Sequence, residues 1–207
     1  MKTKLLTIFL LSTIICSGQN ENTVEQFKPA VLKLMSGAKI VFNGTTHAFT
    51  IDVISDSIKP PERPNFLLVN NNVFQYLTLA ADNRVNFDSL SIERKKANLT
   101  NYMNYELDYF KNDLKIKISN LNFEWLELNK RLFLFWFFDM PKNNKTIEKQ
   151  VYLTTICYDN IVGLNMVMTR KGNSFNYYKN LLIDTGKTLQ TFNEPINLDK
   201  LYKELNN

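Results

Sequence analysis

Residues 132–138 read Leu-Phe-Leu-Phe-Trp-Phe-Phe, seven apolar side chains in succession. A strand with one wet face alternates apolar and polar residues; this run is apolar on both parities, so both of its faces must be covered. It is of strand length and too short to cross a bilayer, which takes about 20 residues. The cover comes most simply from helices on each side of a sheet, or from a helix and a second sheet. Residues 151–158 are also apolar on both parities, which predicts that these two strands are central.

Short polar links set the pairing around them. Asn129-Lys130 and Asp159-Asn160 each join two apolar runs, and links of two residues imply antiparallel hairpins. Asn43-Gly44 between residues 40–42 and 48–54 is a further hairpin signal, because both residues tolerate positive φ. Asn70-Asn71-Asn72 plays the same part between 66–69 and 73–79. Pro60, Pro61 and Pro64 predict an extended loop, and residues 82–91 read as a polar loop.

Helical spacing marks four segments. Residues 24–35 carry Val24, Phe27, Val31, Leu32 and Met35 on one stripe, with Gly37 placed to end the helix. Residues 92–114 form the longest helix, striped by Leu99, Tyr102, Met103, Leu107 and Phe110, with Asn98 or Thr100 as cap for a late start. Residues 173–182 carry Phe175, Tyr178, Leu181 and Leu182 and end at Gly186. Residues 198–205 make a last short helix. Helix, strands, long helix, antiparallel strands, helix is an α+β order. It predicts a curved antiparallel sheet of about six to eight strands, a hairpin meander covered by helices. With the hairpin 151–168 followed by the Phe175 helix, this layout resembles the α/β sandwich of the PsbP-like proteins. The resemblance implies a binding or accessory role without catalysis.

The N-terminus constrains location. Lys2 and Lys4 precede the uncharged run 5–16, and small residues follow it at Cys16, Ser17 and Gly18. This is the pattern of a secretory signal peptide cleaved after Gly18, leaving residues 19–207 as a single domain in the periplasm or outside the cell. An alternative is a lipoprotein in which Cys16 carries the lipid, although Ile15 stands where such signals place a small residue. Cleavage removes Lys2, Lys4 and Cys16. The formal charge then falls from +5 to about +3, and Cys157 is left alone, so no internal disulfide can form. With 44% hydrophobic and 22% charged residues, the chain has the composition of a globular protein without a transmembrane span in its mature part. Its basic residues are scattered apart from Arg94-Lys95-Lys96, which reads as a solvated helix start, so no nucleic-acid partner is expected.

Few residues offer chemistry. His47 is the single histidine, too few for a zinc site of His and Cys ligands, and no metal or cofactor is implied. Thr185-Gly186-Lys187-Thr188 has the tail of a P-loop, but Leu181 stands where the leading glycine belongs. Glu124 and Glu127 fall on opposite faces of one strand and cannot act as a pair. Cys157 with His47 is the one conceivable nucleophile and base. Aromatics are the enriched class, with nine Tyr and fifteen Phe. Trp125, Trp136, Tyr152, Tyr158, Tyr177 and Tyr178 either line a groove or pack the core, and core packing is the better reading for Trp136 and its Phe neighbours. Tyr177-Tyr178 is the better surface candidate. The expected ligand-binding residues are Tyr152, Tyr158 and Tyr177, with Arg170 as a small anion contact. The sequence therefore reads as an exported, non-enzymatic binding or accessory domain whose partner is a protein or a small ligand. The alternatives are an envelope lipoprotein with a structural role and an enzyme using Cys157 and His47.

Overall fold

Hairpins with matched turns build most of the architecture. The computed structural model describes residues 24–60, 63–81 and 91–206; the expected signal segment 1–18, the expected lead 20–23 and residues 82–90 of the expected polar loop lie outside the described residues. Among the described residues, eleven strands form two wholly antiparallel sheets. The smaller sheet runs in the order β1 (Lys28–Leu34), β2 (Gly37–Asn43), β3 (Ala48–Val53), β11 (Gln190–Phe192). The larger contains β4 (Ile58–Lys59), β5 (Phe66–Val69), β6 (Asn72–Ala80), β7 (Ser119–Leu128), β8 (Arg131–Asp139), β9 (Ile147–Cys157) and β10 (Asn160–Thr169), in the order β4-β5-β6-β10-β9-β8-β7. Helix α1 (Ile92–Asp108) runs into a π-helical turn, Tyr109–Asp113; α2 (Phe175–Lys187) and α3 (Leu198–Asn206) follow. The α+β class holds. The single sheet is corrected to two, because the β1–β3 hairpins close on β11 rather than on the seven-stranded sheet.

The apolar run of β8 shows how the layers stack. Phe133 and Phe135 point into a core shared with Ile40, Phe42, Phe49 and Ile51 of the smaller sheet and with Tyr178 and Leu182 of α2. Leu134, Trp136 and Phe138 point the other way, onto Leu99, Tyr102, Met103, Leu107 and Phe110 of α1. One face is thus covered by a sheet and a helix, the other by a helix. β10 is the central strand and β9 lies beside it, while β8 is one place from the edge. Among the described residues, no helix is long and apolar enough to cross a membrane.

Several local expectations are corrected. Residues 24–35 are not a helix: β1 pairs with β2 through the turn Met35-Ser36, Leu34 opposite Gly37. Gly37 has φ of +117°, and a Cβ there would lie 2.1 Å from the Val53 carbonyl oxygen, so it serves a hairpin rather than a helix end. The helical stripe was fortuitous, since Val31 and Met35 are exposed. The hairpin expected at Asn43-Gly44 does form, β2 with β3. Asn43 pairs with Ala48 across a four-residue loop, and its amide brackets Ile196, donating to the carbonyl at 2.8 Å and accepting the N–H at 2.9 Å. The β9–β10 turn is Tyr158-Asp159, one residue earlier than expected, with Tyr158 at φ 52° and Cys157 opposite Asn160. Ser91, not Asn98 or Thr100, caps α1 through its hydroxyl on the Arg94 N–H. Gly186 lies inside α2, where an added Cβ would come within 2.7 Å of Leu153 Cδ2; the helix needs it for close approach to β9.

Candidate functional site

The Asn129-Lys130 turn has both residues at positive φ, 49° and 65°, the twist a two-residue hairpin requires. It sits at the same end of the larger sheet as the Tyr158-Asp159 turn, and a depression opens on each side. On the α1 side a depression of about 450 Å³ is lined by Ile92, Lys95 and Leu99 of the helix, by Glu127, Lys130 and Leu132 of the hairpin, and by Ile156. On the other side one of about 400 Å³ lies over Leu128, Phe133 and Gly186, rimmed by Leu189, Gln190 and Phe192. Asn129 and Arg131 line both. Two bonds fix them: Arg131 Nη1 donates to the Ile156 carbonyl at 2.7 Å, and Asn129 Nδ2 to the Lys187 carbonyl at 2.6 Å. The α1-side depression combines an apolar floor, with Leu99 and Ile156 buried, and the cations Lys95, Lys130 and Arg131 against one carboxylate, Glu127. Such a surface favours a ligand with an apolar body and a negative head.

A second cluster joins the N-terminal segment to the β2–β3 loop. Glu25 Oε1 accepts the N–H groups of Thr46 at 2.5 Å and His47 at 2.9 Å, and Oε2 lies 2.7 Å from His47 Nδ1. Burial would push the Glu25 carboxyl up, but these hydrogen bonds outweigh it and hold the group below the usual carboxylate range. His47 stacks on Tyr158 at 4.3 Å between centroids, and Asn160 Nδ2 donates to the Glu25 carbonyl at 2.9 Å. The histidine is thereby engaged in fastening the chain. A third cluster lies under α1. Burial pushes the Glu106 carboxyl up against a weaker pull from its hydrogen bond with Tyr102, and burial, reinforced by the nearby Glu106, pushes the Tyr102 and Tyr152 phenols well up.

The sequence candidates are dispersed. Tyr152 is buried in the α1-side core, stacked on Trp136. Tyr158 donates to the Phe192 carbonyl at 2.7 Å, tying β11 to the β9–β10 turn. Tyr177 accepts from Asn70 Nδ2 at 3.0 Å, while its neighbour Tyr178 is fully buried, on the stripe expected of it. Arg170 donates to the carbonyls of Asn144 at 2.7 Å and Pro141 at 3.1 Å, holding the β8–β9 loop. Each binds its own chain, and they do not converge. Cys157 is fully buried in the inter-sheet core, removed from the solvent a substrate would come from. Glu124 and Glu127 do face opposite sides: Glu124 pairs with Lys179 of α2, and Glu127 lines the α1-side depression. Sequence reading missed Lys130 and Arg131 because nothing in their spacing links them to Lys95, some 35 residues earlier. Their position after an Asn at a hairpin tip was the available signal.

Comparison of the chain with protein-family models, curated proteins and solved structures finds no match.

Proposed function

We propose that this protein is an exported binding domain that acts without catalysis and takes a small amphipathic anion at the β7–β8 end. The observation that carries the reading is the α1-side depression, in which Lys95, Lys130 and Arg131 surround a floor of Leu99, Leu132 and Ile156. A carboxylate or phosphate head meets the cations while an apolar tail covers the floor, so each part of the ligand finds its own solvent. The core supports this placement. Phe42, Phe49, Phe74 and Phe135 fill the space between the sheets, so the enriched aromatics go into packing and a ligand is received at the end of the sheet. The PsbP-like reading of the layout, supported by the β9–β10 hairpin leading into α2, agrees with a binding or accessory role. Export rests on the N-terminal pattern, and the intact mass of the protein recovered from its producing cells tests it: a chain starting at Gln19 supports cleavage, and one acylated at Cys16 gives the lipoprotein alternative.

Backbone amide shifts recorded during titration with sodium decanoate, and separately with inorganic phosphate, test the site. Decanoate is expected to move the amides of Leu99, Lys130 and Ile156 more than phosphate does. Lys130→Glu, at an exposed tip, is expected to weaken decanoate about tenfold without unfolding the protein. Shifts scattered over the surface, or none at millimolar ligand, would remove the proposal.

A further inference from the structure

The four sheet edges are not treated alike. Strand edges present unpaired N–H and C=O groups, and proteins blunt them with short strands, Pro, Lys or bulges. β1 carries Lys28, Pro29 and Lys33. β4 is two residues long and is followed by Pro60, and β11 is three residues long. β7 is ten residues long, Ser-Asn-Leu-Asn-Phe-Glu-Trp-Leu-Glu-Leu, with neither Pro nor Lys. Its register with β8 shifts between Ser119 and Asn122, with Asn120 at φ 51°, which leaves the pairing regular from Asn122 onward. Leu121 and Phe123 are 41% and 56% exposed, and among the described residues β7 ends its sheet.

We infer that β7 pairs antiparallel with β7 of a second copy of this chain about a two-fold axis at Phe123, joining two seven-stranded sheets into one. The strand's own sequence argues for a second copy. Residues facing each other across such an axis lie on the same face of the sheet along the regular stretch of the strand, and centring on Phe123, its most exposed apolar residue, covers that ring with its own image. On the α1 face the pairing sets Phe123 against Phe123 of the second copy, and Leu121 against its Trp125. On the other face Glu124 meets Asn122. No like charges lie directly opposite. The two Glu124 carboxylates are diagonal neighbours, a separation of about 7–8 Å, and each is already paired with Lys179 of its own chain. Exposed apolar surface is thus covered by its own image, and the unpaired backbone groups of both edges find partners. The association leaves the β7–β8 tip at one end of each half, so it is independent of ligand binding there.

Cross-linking of the full chain tests the register. In a Cys16→Ser background the native thiol left is the buried Cys157. Phe123→Cys brings two cysteines face to face and is expected to give a disulfide-linked dimer on mild oxidation. Leu121→Cys sets them four residues apart and is expected to stay monomeric. Sedimentation equilibrium of the unmodified protein is expected to show a monomer–dimer equilibrium, and Phe123→Lys to weaken it about tenfold or more by placing two ammonium groups opposite each other. Phe123 is solvent-exposed, so these substitutions leave the fold in place; far-ultraviolet circular dichroism checks it. A protein that stays monomeric at every concentration, an association unmoved by Phe123→Lys, or Leu121→Cys cross-linking as readily as Phe123→Cys overturns the inference.

Discussion

The rings of Trp136 and Tyr152 lie face to face on neighbouring strands, 3.8 Å between centroids and 3° from parallel. They are direct cross-strand partners in the β8–β9 register, and both are buried under α1. The pair joins the two strands and seats the helix. Truncating Tyr152→Ala opens a cavity there and is expected to cost about 3 kcal/mol, read as a lower midpoint in urea unfolding. Decanoate affinity of the folded protein is expected to be unchanged, since Tyr152 does not line either depression at the hairpin tip.

Glu106 imposes a pH dependence of its own. Its folded-state pKa is raised above the usual value near 4.5 by burial. The stability it allows is therefore fully present below the unfolded value and is lost as pH rises through the folded one. Glu106→Gln keeps an acceptor for the Tyr102 hydroxyl and removes the buried charge. It is expected to stabilise the protein by about 1 kcal/mol at pH 7 and to make no difference near pH 4, as thermal unfolding at the two pH values would show. Equal gains at both would contradict the account.

Glu25 behaves in the opposite sense. Its carboxyl is held below the usual range by the Thr46 and His47 hydrogen bonds against the pull of burial. Its contribution is present above the unfolded value and is lost as pH falls through the folded one. Glu25→Gln is expected to cost about 1 kcal/mol at pH 7, a figure kept low for solvent screening at the rim, with the difference closing as the pH is lowered. Amide exchange at Thr46, His47 and Asn160 is expected to quicken in the variant, because the segment carrying Glu25 no longer locks the β2–β3 loop.

Gly37→Ala tests the corrected β1–β2 turn. An added Cβ meets the Val53 carbonyl oxygen at 2.1 Å, at a φ of +117°. The strain is expected to cost about 2–3 kcal/mol. Had residues 24–35 been a helix ending at this glycine, the same substitution would cost about 1 kcal/mol or less, so calorimetry separates the two.

How much was legible follows from what each residue must satisfy locally. The turn at Asn129-Lys130 was readable because two residues at positive φ need small or polar side chains of that kind. The two-faced burial of residues 132–138 was readable because alternation is absent. The Tyr158-Asp159 turn was misplaced by one residue because Tyr158 at φ 52° is held by its ring on His47 and its hydroxyl on the Phe192 carbonyl, contacts more than 30 residues away in either direction. β1 was misread because Val24, Phe27, Val31, Leu32 and Met35 fit a helical stripe, and only pairing with β2 settles which of them are buried. The candidate site was the least legible part. Lys95 and Arg131 belong to separate elements, and nothing but the packing of α1 against the β7–β8 hairpin brings them to one depression.

The sequence by itself determined the antiparallel hairpins after β1, the two helices flanking the meander and the need to cover both faces of residues 132–138, because periodicity and turn chemistry act over a few residues. Tertiary structure alone decided that the covering layer on one side is a second sheet, that His47 and Tyr158 fasten distant parts of the chain, and that basic residues gather at one hairpin tip. Those outcomes depend on which distant surfaces fit and bury each other, and that information is spread over the whole chain.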